Sequence, residues 1–141
     1  MDGQMPLTKQ APMKVFIVDD SSAIVERLTL LLDDVPGVEL VGHASDVPQA
    51  VQRIQEAMPD ALVLDLHMPG GTGLDVLRAV RPLQPALRVL VCTNYPDSEY
   101  RQKCMSAGAD YFLDKSTEFE KIPAILHKLM RKEAKSSLAP R

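Results

Sequence analysis

Asp60-Ala61-Leu62-Val63-Leu64-Asp65-Leu66-His67-Met68-Pro69 is the stretch on which the fold turns. Its apolar centre is too short for a helix and does not alternate with polar residues. It therefore reads as a strand over 60–65 buried on both faces, as in a parallel sheet covered by helices. Runs of the same kind lie at Lys14 to Asp19 and Val38 to Ala44 upstream, and at Leu87 to Thr93 and Ala109 to Asp114 downstream. Between them the apolar residues recur at helical spacing. Ile24, Leu28 and Leu31 precede the break at Pro36-Gly37, and Val47, Val51 and Ile54 run from a start near Asp46 to Pro59. Leu74, Leu77 and Val80 stop at Pro82, while Tyr100, Cys104 and Met105 stop at Gly108. A capping-box pattern, Thr117 with Glu120, opens a last helix carrying Ile122, Ile125, Leu126 and Leu129. Strands alternating with helices predict an α/β fold: a doubly wound, five-stranded parallel sheet with five helices and right-handed crossovers.

The chain of 141 residues suits one domain, placed at 13–132 between tails at 1–12 and 133–141 that read as flexible. A hydrophobic fraction of 45% and a charged fraction of 25% are those of a globular protein, and a net charge of -3 argues against direct nucleic-acid binding. Cys92 and Cys104 lack metal-site or disulfide spacing and read as buried thiols of a reducing compartment. No apolar run approaches bilayer length and the first residues do not resemble a secretory leader, so the expected location is the cytoplasm, with no membrane contact.

In folds of this kind, ligands gather beyond the carboxyl ends of the strands. Here those ends carry Asp19-Asp20, Asp65, Thr93 and, after the last strand, Lys115. Clustered carboxylates repel one another unless a cation joins them. Oxygen donors without a suitable His or Cys favour Mg²⁺ over zinc. A carboxylate is also a nucleophile toward phosphorus, and a hydroxyl, an amine and a metal can neutralise the transferring group. The constellation therefore points to phosphoryl acceptance.

Four segments in order carry a family resemblance: Val15-Phe16-Ile17-Val18-Asp19-Asp20, Leu62 through Pro69 with Gly73, Val91-Cys92-Thr93, and Gly108 through Lys115. Together they resemble the receiver domains of bacterial two-component response regulators, whose topology is flavodoxin-like. The resemblance implies that Asp65 is the phosphoacceptor, that Asp20 and Asp65 bind Mg²⁺ directly with the backbone carbonyl of His67, and that Asp19 binds it through water. It further implies that Thr93 and Lys115 contact the phosphoryl group and that Phe112 is a switch aromatic coupled to Thr93. The donor would be a histidine kinase or phosphotransfer protein. The face of the fourth helix, fifth strand and fifth helix would bind a downstream partner or a second copy as a homodimer. Such a chain is a phosphoprotein that catalyses its own Mg²⁺-dependent phosphorylation and dephosphorylation, not an enzyme with a separate substrate.

Two departures stand out. Ser116 follows Lys115 where many members have proline, and Asn94-Tyr95 follows Thr93 where a small residue is usual. With His67, Tyr95 is expected to flank the path of attacking water and lengthen the phosphoryl lifetime.

Plainer readings stand beside these. Asp19-Asp20-Ser21-Ser22 also suits a helix N-cap; Asp65 suits a turn, Phe112 plain core, and Lys128 to Lys135 a solvated helix face. Because the sequence ends soon after the last helix, it reads as a stand-alone receiver. A phosphorelay intermediate or phosphate sink remains the alternative within the family. A flavin-binding electron carrier shares the architecture, but the carboxylates after the first strand would repel a flavin phosphate. A Mg²⁺-dependent aspartyl phosphatase would want its nucleophile and acid two residues apart on one loop, a spacing that the adjacent Asp19-Asp20 and the run after Asp65 do not give.

Overall fold

The computed structural model describes residues 11–138. Five parallel strands form one sheet: β1 (Met13–Val18), β2 (Val38–Ala44), β3 (Ala61–Leu64), β4 (Arg88–Thr93) and β5 (Tyr111–Asp114), in the spatial order β2-β1-β3-β4-β5. The helices are α1 (Ser22–Asp33), α2 (Val47–Ala57), α3 (Gly73–Val80), α4 (Ser98–Ser106) and α5 (Ile122–Leu138). Residues 1–10 and 139–141 of the expected tails lie outside the described residues. α5 itself runs on to Leu138, past the boundary drawn at Lys132.

The central strands behave as double-sided burial requires. Ala61, Leu62, Val63 and Leu64 are all buried, with Leu62 and Leu64 in the core on one face of the sheet and Ala61 and Val63 in the core on the other. β2 departs from the expectation of a fully buried strand, because its place at the sheet edge leaves most of its residues half-exposed. Its pairing with β1 also slips between Val15 and Phe16. There Phe16 pairs with Gly42, where an added Cβ would press into the Phe16 ring.

Helix starts follow local hydrogen bonding more than apolar period. Asp46 caps α2 by accepting from the Gln49 N–H, and Asp97 caps α4 by accepting from the Tyr100 N–H. Thr72 and Asp75 cap each other at the start of α3, a box the apolar pattern alone does not reveal. The Thr117/Glu120 box is not the one used. Asp114 caps a single helical turn, Lys115–Glu118, which passes through a 3₁₀ turn, Phe119–Lys121, into α5. Asp114 stands at the strand end, where its carboxylate meets free N–H groups before Thr117 can.

At the end of the sheet away from the strand carboxyl termini, Arg81 ties α3 to β4 and β5. Its Nη1 donates to the carbonyls of Pro85 at 3.0 Å and Leu87 at 2.7 Å, its Nη2 donates to the carbonyl of Gly108, and Asp110 pairs with it at 3.5 Å. Removing it strands several partly buried acceptors. Arg81→Ala is expected to lower unfolding free energy by about 2 kcal/mol in a urea titration. Arg81→Lys should recover only part of that, since an ammonium cannot reproduce the planar fork.

Candidate functional site

The strand order reverses between β1 and β3: the chain adds β2 to one side of β1 and then crosses to place β3 on the other. Such a reversal opens a crevice at the carboxyl ends of the two strands. Val18 and Leu64 are register partners, and the Asp65 N–H donates to the Val18 carbonyl at 2.9 Å. Asp19 and Asp65 therefore leave adjacent strands side by side. On the other flank Thr93 pairs with Asp114, which delivers Lys115 to the same rim.

Lys115 closes the group. Its Nζ lies 2.8 Å from Asp19 Oδ2 and 3.5 Å from Asp65 Oδ1, with all three side chains nearly inaccessible. The second oxygen of Asp19 accepts from the Ser21 N–H at 2.9 Å, so both ends of that carboxylate are held. Ser21 is also the N-cap of α1, its hydroxyl accepting from the Ile24 N–H. The cap reading of this segment is thus satisfied by Ser21, while Asp19 and Asp20 point their chemistry elsewhere. Oxygen atoms of Asp19, Asp20 and Asp65 lie within 4.8 Å of one another, with Asp20 on the solvent side.

The electrostatics follow from this packing. Burial raises the pKa of Asp65 and the charge of Asp19 raises it further, while Lys115 and the N–H groups of His67 and Leu66 act against the rise. Burial works to lower the pKa of Lys115, but the hydrogen bond and charge of Asp19, then the charge of Asp65, outweigh it and the net shift is upward. Lys115 is therefore firmly protonated. Burial pushes the Cys92 thiol up to about 12, so this cysteine is inert beside the site.

The remaining predicted residues take distinct places. Thr93 is wholly buried and its Oγ1 accepts from the Tyr95 N–H at 3.0 Å, which turns the loop after β4. Phe112 is buried in the core, with the Arg101 guanidinium 5.8 Å from its ring centre. His67 is exposed and meets Tyr95 edge-on at 4.3 Å and Tyr100 at 5.7 Å. The sequence alone gives Tyr100 no place in the site, shows Ser21 only as part of a cap, and shows Gly73 only as part of the family motif. Gly73 is held against the acceptor loop, its N–H donating to the Leu66 carbonyl at 2.9 Å, and a Cβ there would overlap the Asp65 carbonyl oxygen. Its signal was its place after the Met68-Pro69 turn, where a close approach needs glycine.

A doubly wound sheet with acidic strand ends and a buried lysine defines a class, and the comparisons with known proteins agree with it. Residues 15–127 match the response regulator receiver domain, and the chain belongs to that family. It is 36% identical over 103 residues to the DNA-binding transcriptional activator DevR/DosR of Mycobacterium tuberculosis, covering 73% of this chain and 48% of that protein. It is 38% identical over 112 residues to protein-glutamate methylesterase/protein-glutamine glutaminase 5 of Myxococcus xanthus, covering 79% and 32%. Among solved structures, the signal receiver domain of the putative response regulator NarL from Mycobacterium tuberculosis superposes with a TM-score of 0.74 at 29% identity, covering 84% of this chain and 96% of that one. The chain spans about half or less of the length of these curated relatives. Among the described residues no helix is long and apolar enough to cross a membrane.

Proposed function

We propose that Asp65 accepts a phosphoryl group from a histidine kinase or phosphotransfer protein, and that the modified domain signals by binding a protein partner. The observation that carries this reading is the buried Lys115 ammonium bridging Asp19 and Asp65, with Asp20 completing a group of oxygens within 4.8 Å. In the transfer, one carboxylate oxygen of Asp65 forms the O–P bond as the donor's N–P bond breaks, the bonding pair stays on the donor's imidazole nitrogen, and that nitrogen takes a proton from solvent. Lys115 offers a fixed positive charge to the incoming oxygens. Thr93 would give up the Tyr95 N–H and turn its hydroxyl to another oxygen, with Phe112 responding as the switch aromatic.

Three carboxylates sharing so small a space fit a hard divalent cation with oxygen ligands. Asp20 and Asp65 would hold Mg²⁺ directly, with the His67 carbonyl, and Asp19 through water. When bound, the ion neutralises charge on the transferring group. Phosphotransfer from a labelled phosphohistidine donor, run with Mg²⁺ and with EDTA, tests this reading; label that never reaches the chain in either condition would count against it.

The partner face proposed is that of α4, β5 and α5, where a second copy is one candidate occupant. Output through a further histidine, as in a phosphorelay or phosphate sink, remains the second reading within this function. A binding assay with and without phosphorylation separates the two.

Tyr95 stands edge-on to His67 and is more than half exposed, so the pair forms a rim above the loop that carries Asp65. Tyr95→Ala is expected to shorten the phosphoryl lifetime several-fold, roughly the effect of admitting water to a partly closed site. Loss of phosphoprotein after donor removal measures it, and an unchanged rate would rule out shielding.

A further inference from the structure

The strand end that carries Lys115 is held in an unusual way. β5 stops at Asp114 and a helical turn begins at Lys115 with no intervening loop. Two carboxylates brace that junction from opposite sides. Asp114 Oδ1 accepts from the Ser116 N–H at 3.0 Å and from the Ser116 hydroxyl at 2.7 Å. Glu118 Oε1 reaches back to accept from the Asp114 N–H at 2.8 Å, while its other oxygen meets Lys121 Nζ at 3.3 Å. The N–H groups of the residues immediately before and after Lys115 are thus both fixed. Ser116 is essential to this arrangement, because a proline there would have no N–H to donate.

Fixing those two peptide groups fixes the backbone of Lys115, and so the direction in which its four-carbon stem leaves the chain. Over that length a small backbone rotation moves the ammonium by a large fraction of a hydrogen-bond distance. The observed Nζ is 2.8 Å from Asp19 and 3.5 Å from Asp65, a placement with little slack. The same cap that starts the Lys115–Glu118 turn thus also holds the peptide groups on both sides of Lys115. Ser116's hydroxyl and N–H hold the Asp114 carboxyl below its usual range, and the Asp114 N–H does the same for Glu118, so both accept as anions at neutral pH.

We propose that this reciprocal cap seats Lys115, and that Asp114 and Glu118 are positioning residues for phosphoryl transfer. They touch neither the acceptor nor the phosphoryl group and act through Lys115 alone. The inference rests on the reading of Asp65 as acceptor.

The test compares Asp114→Ala with Asp114→Asn, and Glu118→Ala with Glu118→Gln, in the full chain with acetyl phosphate as donor. Asn and Gln keep a carbonyl oxygen that accepts the same N–H, whereas Ala removes it. Each Ala variant should show a phosphorylation rate constant at saturating donor about tenfold below the parent, the scale of a modest misplacement of a reacting group. Mg²⁺ half-saturation, read by tyrosine fluorescence, should stay at or below the parental concentration, and each amide variant should recover most of the rate. Parental rates in both Ala variants would overturn the proposal. So would amide variants as slow as Ala, which would mean charge, not the cap, is what matters. Should Asp114→Ala fail to fold, the Glu118 pair decides alone. A parent that takes up no phosphoryl group would instead remove the Asp65 reading, and this inference with it.

Discussion

Asp65→Asn is expected to abolish phosphoryl uptake, by more than about 10³-fold, while leaving a folded domain. The amide is nearly the same size as the carboxylate, but its oxygen is a poor nucleophile and carries no charge for a cation. The domain should tolerate the change, and the sign can be worked out. Burial and the nearby Asp19 charge raise the Asp65 pKa in the folded state. A carboxyl raised in this way costs stability at every pH where the unfolded form would already be ionised, so a neutral isostere removes that cost at neutral pH. Unfolding at pH 7 should occur at or above the parental denaturant midpoint. Parental uptake in Asp65→Asn would place the acceptor elsewhere; loss of folding would show that the Lys115–Asp65 contact matters more to stability than burial does.

Lys115→Met carries the second large effect, a fall in phosphoryl transfer rate of roughly 10², the scale of losing one preorganised charged donor. Met keeps the unbranched stem and fills the same buried volume. What disappears is the ammonium, and with it the charge that meets oxygens during transfer. Cation binding should move the other way. Lys115 now competes for Asp19 and Asp65, so its removal should leave Mg²⁺ affinity equal or tighter. The chain has no Trp, and Tyr95 and Tyr100 both contact His67, so tyrosine fluorescence offers a direct readout of Mg²⁺ binding at this rim. A variant that binds Mg²⁺ normally but transfers slowly fits the account. A variant with parental transfer, or one that loses Mg²⁺, contradicts it.

What could be read from the sequence was whatever depends on a single strand. The run from Ala61 to Leu64 declared double-sided burial, and the acids at the ends of β1 and β3 followed from topology, since neighbouring parallel strands deliver their last residues to one crevice. What could not be read depends on competition or on contacts between loops. Thr117 and Glu120 matched a capping pattern, but Asp114 reached the free N–H groups first. β2 was grouped with the buried runs although it carries Glu39 and His43, and the strand order shows it to be an edge. The family resemblance set His67 and Tyr95 on one flank of the site, but no local pattern announces that Tyr100, from α4, joins them. Ser21 was visible as a cap, yet its second task, holding Asp19 through its N–H, is a property of backbone direction that composition does not carry.

The central claim is that the phosphoryl group sits on Asp65, and reductive trapping reads that position directly. The parent is incubated with acetyl phosphate and Mg²⁺, treated with borohydride, which reduces an acyl phosphate to an alcohol, and mapped by peptide mass spectrometry. Homoserine at position 65, absent when EDTA replaces Mg²⁺, is the predicted result. Homoserine at any other aspartate position, or unreduced Asp65 in protein shown to be phosphorylated, would contradict it.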